Sequence, residues 1–150
     1  MTDSFLDEVL PQLASVAAHT HALGFRWIGR EAERVRIGAP WRKDLVGDPE
    51  TGVLAGGLVT ALLDHAGGLA IWARIGEFRP VATLDLRVDY MRAAVTGREL
   101  LAEARCYRLT SSIAFVRAWA FEDDPADPVA AAQAAYMLTH HRPGRSANSA

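Results

Sequence analysis

Asp64 is the side chain best placed to do chemistry, because it is the one carboxylate in LAGGLVTALLDHAGGLAIWARI, residues 54–75. Wound at the helical period, Leu58, Val59, Ala61, Leu62, Leu63, Ala66, Leu69, Ala70, Ile71 and Trp72 leave no polar stripe. A helix that is apolar all round is normally a buried one. An ionised carboxylate inside it is costly unless it is paired or solvated, so Asp64 calls for an explanation. The stretch also opens on Gly56-Gly57, with no Ser, Thr, Asp or Asn immediately before it as a cap. The first N–H groups of a helix lack internal acceptors and carry the positive end of its dipole. Glycine lets a ligand atom come close to them. A donor site for an oxyanion and a buried acid or base are what activation of water at a carbonyl carbon requires. The plainer alternatives are a locally satisfied structural carboxylate and a glycine pair that serves only packing.

The spacing sets a condition on that chemistry. Gly57 and Asp64 share a helix face but lie roughly 10 Å apart along the axis, at about 1.5 Å per residue. One helix cannot bring both to one carbonyl. Two antiparallel copies would, each Asp64 meeting the glycines of the other, so the expectation is a homodimer with two composite sites. The helix is too short and too rich in Gly to be taken as a membrane span, which needs about 20 apolar residues.

The remaining elements must hold this helix. Residues 3–22 read as a helix with Ser4 as a cap, Phe5, Leu6, Val9, Leu13 and Val16 as its apolar stripe, and Pro11 as a break. His19 and His21 read as surface residues. Segments 25–30 and 33–42 read as the first strands, and 43–53 (KDLVGDPETGV) as a loop. Strands follow at 79–91, 98–109, 112–122 and 128–140. In 80–91, Ala82, Leu84, Leu86, Val88 and Tyr90 alternate with Thr83, Asp85, Arg87 and Asp89, the pattern of a half-buried antiparallel strand. In 113–121, Ala114, Val116, Ala118 and Ala120 form a small-residue face on which a thick apolar helix can lie close. Ile113, Phe115, Trp119 and Phe121 form the opposite, bulky face, and an exposed aromatic patch points to assembly beyond the dimer. The plainer alternative is cover by the N-terminal helices. EDDPADP (122–128) reads as a solvated hairpin loop, and His140-His141 with the tail as a strand end followed by disorder.

The chain has 150 residues, half of them hydrophobic, and a net charge of −2, all ordinary for one soluble globular domain. It lacks the clustered Lys and Arg of a nucleic-acid surface. Cys106 is the only cysteine, which excludes disulfide frameworks and Cys-rich zinc sites within one chain; a small buried residue is the better reading of it. Asp3, Asp7 and Glu8 do not make a signal peptide, so a cytoplasmic location is expected.

Together, LAGGLVTALLDHAGGLA (54–70), ATLDLRVDYMRAA (82–94), RLTSSIAFVRAWAFE (108–122) and PVAAAQAAYML (128–138) resemble the PaaI-like branch of the hotdog acyl-CoA thioesterases, over residues 45–140. The resemblance implies an α+β hotdog fold, an antiparallel sheet wrapped around one long central helix. With the pass along the chain, the expected division is an N-terminal helical segment (1–24), a hotdog domain (25–141) and a disordered tail (142–150). The resemblance also implies hydrolysis of an acyl-CoA without cofactor or metal, by a homodimer that assembles into a homotetramer, with no nucleic acid or membrane partner. Asp64 would activate water or attack the thioester, and Gly56 N–H, from the partner subunit and beside Gly57, would hold the thioester oxygen. Thr83 would place the water, a role that implies a bulge or twist between it and Leu84–Leu86. Ser111, Ser112 and Arg92 would meet the nucleotide or phosphates of CoA. Two positions depart from the family pattern. Ala55 stands where the family typically has His, and Pro49 where a polar residue, often Asn, is common.

Two other functions compete. A non-catalytic acyl-CoA or lipid-binding module fits the departures at Ala55 and Pro49. A hotdog dehydratase would pair a His with a carboxylate, but His65 points about 100° away from Asp64 on a helix. Trp41, Trp72 and Met91 are candidates for lining an acyl pocket, or simply for core packing.

Overall fold

A computed structural model describes residues 4–139. The expectations for His140-His141 and for a tail over 142–150 lie outside the described residues.

The long apolar stretch forms α3, Gly56–Ile75. By length and composition it is apolar enough to cross a membrane, yet 56% of its most apolar window is buried within the fold. Its C-terminus is closed by Gly76 in the left-handed region (φ 78°), whose N–H donates to Trp72 O at 2.8 Å. A glycine takes that conformation without the Cβ clash any other residue would meet. The N-terminal residues form a π-helical turn over Phe5–Val9, then α1 (Leu10–Leu13) and α2 (Ala18–Ala22). Pro11 directly follows the π-helical turn and the chain stays helical through it to Leu13, so the expected break at Pro11 comes instead at residues 14–17. Ser4 makes no side-chain cap, contrary to expectation.

Six strands make one antiparallel sheet in the order β1-β2-β6-β7-β8-β5: β1 Arg26–Glu31, β2 Arg34–Ala39, β5 Val81–Tyr90, β6 Leu100–Leu109, β7 Ile113–Phe121 and β8 Ala130–Leu138. The stretch 43–53 is less irregular than its composition suggests. It holds a single 3₁₀ turn (Lys43–Leu45) and a small hairpin of β3 (Val46–Asp48) with β4 (Val53–Leu54). The sheet curls around α3. Leu62, Leu63, Leu69 and Ile71 are fully buried against Val35 and Ile37 of β2, Ala102 and Ala104 of β6, and Ala114, Ala118 and Ala120 of β7. Each such leucine is worth about 1.5–3 kcal/mol of transfer free energy. The alanine floor lets the helix axis sit close to the strands.

The outer face of β7 differs from expectation. Phe115 and Trp119 are only half-buried, but Phe121 is fully buried beneath the Arg36 guanidinium, 5.4 Å from its ring centre. Of the N-terminal helices, α1 packs on α3 and β1. Among the described residues the aromatic surface there is thus reduced to the partly exposed Phe115 and Trp119. Cys106 is buried as expected, and burial pushes its thiol pKa up.

Candidate active site

Helix α3 runs antiparallel to β5, so its two functional ends meet opposite ends of that strand. Thr83, near the start of β5, donates through Oγ1 to Asp64 Oδ1 at 2.8 Å. Tyr90, at the strand's end, donates to Gly56 O at 2.8 Å and contacts the Thr60 hydroxyl. Thr83 reaches the helix because β5 carries a bulge. Its register against β8 slips between Thr83 and Asp85, leaving Leu84 unpaired and half exposed. Strict alternation would point Thr83 away from Leu86 and Val88. The extra residue puts all three on the helix side and turns Leu84 outward against the simple alternation.

A third group contacts Asp64. Tyr136 of β8, almost fully buried, lies 2.9 Å from the Asp64 main-chain oxygen and 3.2 Å from its Oδ1. Burial, then the Asp64 charge, then the hydrogen bond to it push the Tyr136 pKa far up, so the phenol keeps its proton and acts as a donor. Sequence reasoning passed over this residue. The signal was present: Ala130, Ala132 and Ala134 share the inward face of β8, and Tyr136 is the one aromatic in that alanine row. Room for it comes from the helix. A Cβ on Gly67 would lie 2.2 Å from the Tyr136 hydroxyl, whereas a Cβ on Gly68 would meet nothing nearer than Val81 Cγ2 at 4.0 Å.

The space left beside Gly68 is part of a cavity of about 240 Å³ containing Asp64 and Thr83. Ala61, Trp72 and Val81 supply its apolar wall, and His19 and Thr20 of α2 close one side. Of the other two aromatic or sulfur candidates, Trp41 donates to Gly52 O at 2.8 Å and Met91 is exposed; neither lines this cavity. His65 turns away from Asp64, as its helical position requires. Its Nε2 lies 3.1 Å from Leu13 O and 2.9 Å from Ala14 O, so that nitrogen carries the proton and ties α1 to α3. Burial lowers the His65 pKa against the raising effect of those carbonyls.

The helix start is open. Ala55 offers no side-chain cap, and among the described residues nothing accepts from the Gly56 or Gly57 N–H. A Cβ on Gly57 would meet nothing within 4 Å, and one on Gly56 only Tyr90 at 3.7 Å. Neither glycine is needed for packing inside this subunit, which removes the plainer explanation for the pair.

The other sequence candidates lie apart from this cavity. Arg92 is saturated by acids and carbonyls: it binds Glu122 at 2.6 and 3.2 Å, Asp127 Oδ1 at 3.3 Å, and the main-chain oxygens of Asp127 and Ala93. Ser111 and Ser112 form an exposed turn between β6 and β7. That turn sits at the Thr83 end of the sheet, since Ser112 O accepts from Leu138 N and Leu138 pairs with Val81. A larger recess of about 530 Å³ lies on the outer face of β2 and β6, but its charges neutralise one another. Glu103 there is held by Arg34 at 2.9 Å and Arg36 at 2.6 Å, and Glu33 by Arg105 at 3.1 Å.

A family model for the thioesterase superfamily matches residues 51–129, from the turn before β4 to the residue preceding β8. The chain belongs to the thioesterase superfamily. A crystal structure of a Pseudomonas aeruginosa protein is similar at 32% identity and a TM-score of 0.80, covering 89% of this chain and 99% of that one. The phenylacetic acid degradation protein PaaI of Thermus thermophilus, solved as a point mutant, shares the fold at 24% identity and a TM-score of 0.70, covering 82% and 100%. A curated Halobacterium salinarum protein, named as an esterase, is 34% identical over 82 residues, 53% of each chain. This superfamily member thus spans about half the length of that curated relative in the match. The PaaI-like hotdog fold expected from the sequence is the one observed.

Proposed function

We propose that this superfamily member hydrolyses an acyl-CoA thioester to the free acid and CoA in the cytoplasm. Asp64 is the general base (or the nucleophile), Gly56 N–H of the partner subunit the oxyanion donor, and Thr83 the residue that places the water. In the general-base route, water oxygen bonds to the carbonyl carbon as Asp64 takes its proton. The C–S bond then breaks, and the CoA sulfur leaves with that proton. The observation that carries this reading is the pairing of a hydrogen-bonded carboxylate in a cavity with an uncapped, sterically open glycine pair on the same helix.

A homodimer is the unit this chemistry needs, because Gly56 and Asp64 sit by opposite ends of β5. The edge of β5, unpaired among the described residues, supports it, because such an edge is a ready template for another strand. Antiparallel β5–β5 pairing about a two-fold axis sets the two α3 helices side by side in opposite directions. Homotetramers would then form through the outer sheet face. The acyl group enters the cavity wall of Ala61, Gly68 and Val81, Gly57 widens the approach to the amides, and Ser111 and Ser112 meet the CoA nucleotide. Arg92, if it contacts a phosphate, does so while keeping its acidic partners.

The deciding experiment is Asp64→Asn, assayed for CoA release across an acyl-CoA panel, with dimer mass measured by light scattering. Loss of turnover in an intact dimer is expected; wild-type rates in that variant remove Asp64 from the mechanism. A second reading, a non-catalytic acyl-CoA-binding protein, is favoured by one observation: Ala55 presents only a methyl group at the helix start. It predicts calorimetric binding of acyl-CoA with no thiol release by the wild type.

A further inference from the structure

The two carboxylate oxygens of Asp64 are not equivalent. Thr83 Oγ1 approaches Oδ1 from β5 at 2.8 Å, and Tyr136 Oη approaches the same oxygen from β8 at 3.2 Å. Among the described residues no side chain donates to Oδ2. An isolated carboxylate turns freely, since its terminal torsion has a broad, nearly two-fold profile. The Thr83 hydroxyl from β5 and the Tyr136 hydroxyl from β8, whose single proton is shared between Oδ1 and the main-chain oxygen, both favour one orientation of the carboxylate. The Tyr136 hydroxyl also reaches the Asp64 main-chain oxygen at 2.9 Å, so it is anchored to the helix backbone as well as to the acid.

We propose that Tyr136 is a positioning residue, admitted by the missing side chain of Gly67, which with Thr83 pins Asp64 Oδ1 and leaves Oδ2 as the oxygen that reacts. The inference rests on the thioesterase reading and goes beyond it by dividing the labour between the two oxygens. In the hydrolysis step, the water proton passes to Oδ2 while the water oxygen bonds to the carbonyl carbon. Collapse of that adduct breaks the C–S bond, and the proton on Oδ2 leaves with sulfur. Oδ1 changes no partner throughout, so neither hydroxyl has to reorganise. The arrangement also explains the GG pair of α3. Gly67 makes space for the tyrosine, and Gly68 leaves the cavity beside the acid open.

The test is Tyr136→Phe in the full-length protein, which keeps the ring and deletes only the hydroxyl. It is read by steady-state CoA release beside Thr83→Ala, the double variant, and a thermal melt of each. The expected result is a kcat reduced about tenfold to a hundredfold, with KM within about twofold. The double variant should depart from the product of the singles, because both hydroxyls act on one oxygen. A purely structural tyrosine would instead lower activity only in step with the folded fraction. Unchanged kcat in Tyr136→Phe, with Asp64→Asn inactive, overturns this proposal alone; full activity of Asp64→Asn overturns the thioesterase reading. Should the wild type hydrolyse nothing in the panel, a crystal structure of Tyr136→Phe decides. A rotated Asp64 carboxylate supports the positioning role, and an unmoved one overturns it.

Discussion

Adjacent glycines in the middle of α3 should respond to the same substitution with opposite signs. In an exposed or roomy helix interior, Gly→Ala gains about 0.5–1 kcal/mol, because alanine loses less backbone entropy on folding. Gly68→Ala should show that gain, since its new methyl would meet only Val81, at 4.0 Å. Gly67→Ala should not. Its Cβ would stand 2.2 Å from the Tyr136 hydroxyl and 2.9 Å from the ring carbon that bears it, on a side chain only 2% exposed. Pushing that ring aside costs about 1–3 kcal/mol as overpacking. Stranding a buried hydroxyl away from Asp64 costs about 1–3 kcal/mol more. After the helical gain, the net loss is about 1–5 kcal/mol, so the two alanine variants differ by roughly 10 °C in midpoint for a chain of this size. Thermal and urea unfolding at one fixed protein concentration would measure it, because dimerisation makes apparent stability concentration-dependent. Equal shifts of the same sign in the two variants would refute the assignment of Gly67 as the tyrosine's space-maker.

Other outcomes follow from single contacts. His65 is held neutral by burial, with its pKa below the ordinary 6.5, so the unfolded chain binds a proton that the folded one resists. Stability from this group is complete above about pH 6.5 and is lost as pH falls below it; His65→Gln should flatten that part of a melting-temperature profile. At Glu122, burial raises the pKa, but the Arg92 bonds and the Val95 N–H outweigh it and hold it below the ordinary 4.5. Arg92→Met should therefore cost about 3 kcal/mol in urea unfolding by orphaning a buried acid, with Glu122→Gln milder. A loss confined to KM for acyl-CoA, with stability unchanged, would instead make Arg92 a ligand contact. Cys106, buried and with a raised pKa, should react with a thiol reagent at neutral pH only as fast as the fold opens, and prompt stoichiometric labelling would contradict that.

Much of the site's logic was written along the chain. The apolar run of 54–75, its lone Asp64 and its uncapped Gly56-Gly57 are local patterns, and burial, dipole and glycine follow from residue type and a 3.6-residue period. Alternation in β7 likewise fixed which face carries alanines, and the water-placing role that the family resemblance gives Thr83 implied a bulge or twist in β5. The small hairpin of β3 and β4 was lost to a loop-like composition, and the break after α1 was misplaced because a π-helical turn just before Pro11 carries the helix through it. What the linear order could not supply was coincidence in space. Tyr136 and Gly67 are far apart in sequence, and the clash that makes one necessary to the other exists only when β8 crosses α3. Nothing along the chain pairs Arg92 with buried Glu122, since a charge's partners depend on long-range distance. Periodicity along a chain determines which side of an element is apolar; only the packing of one element on another decides which hydroxyl meets which oxygen.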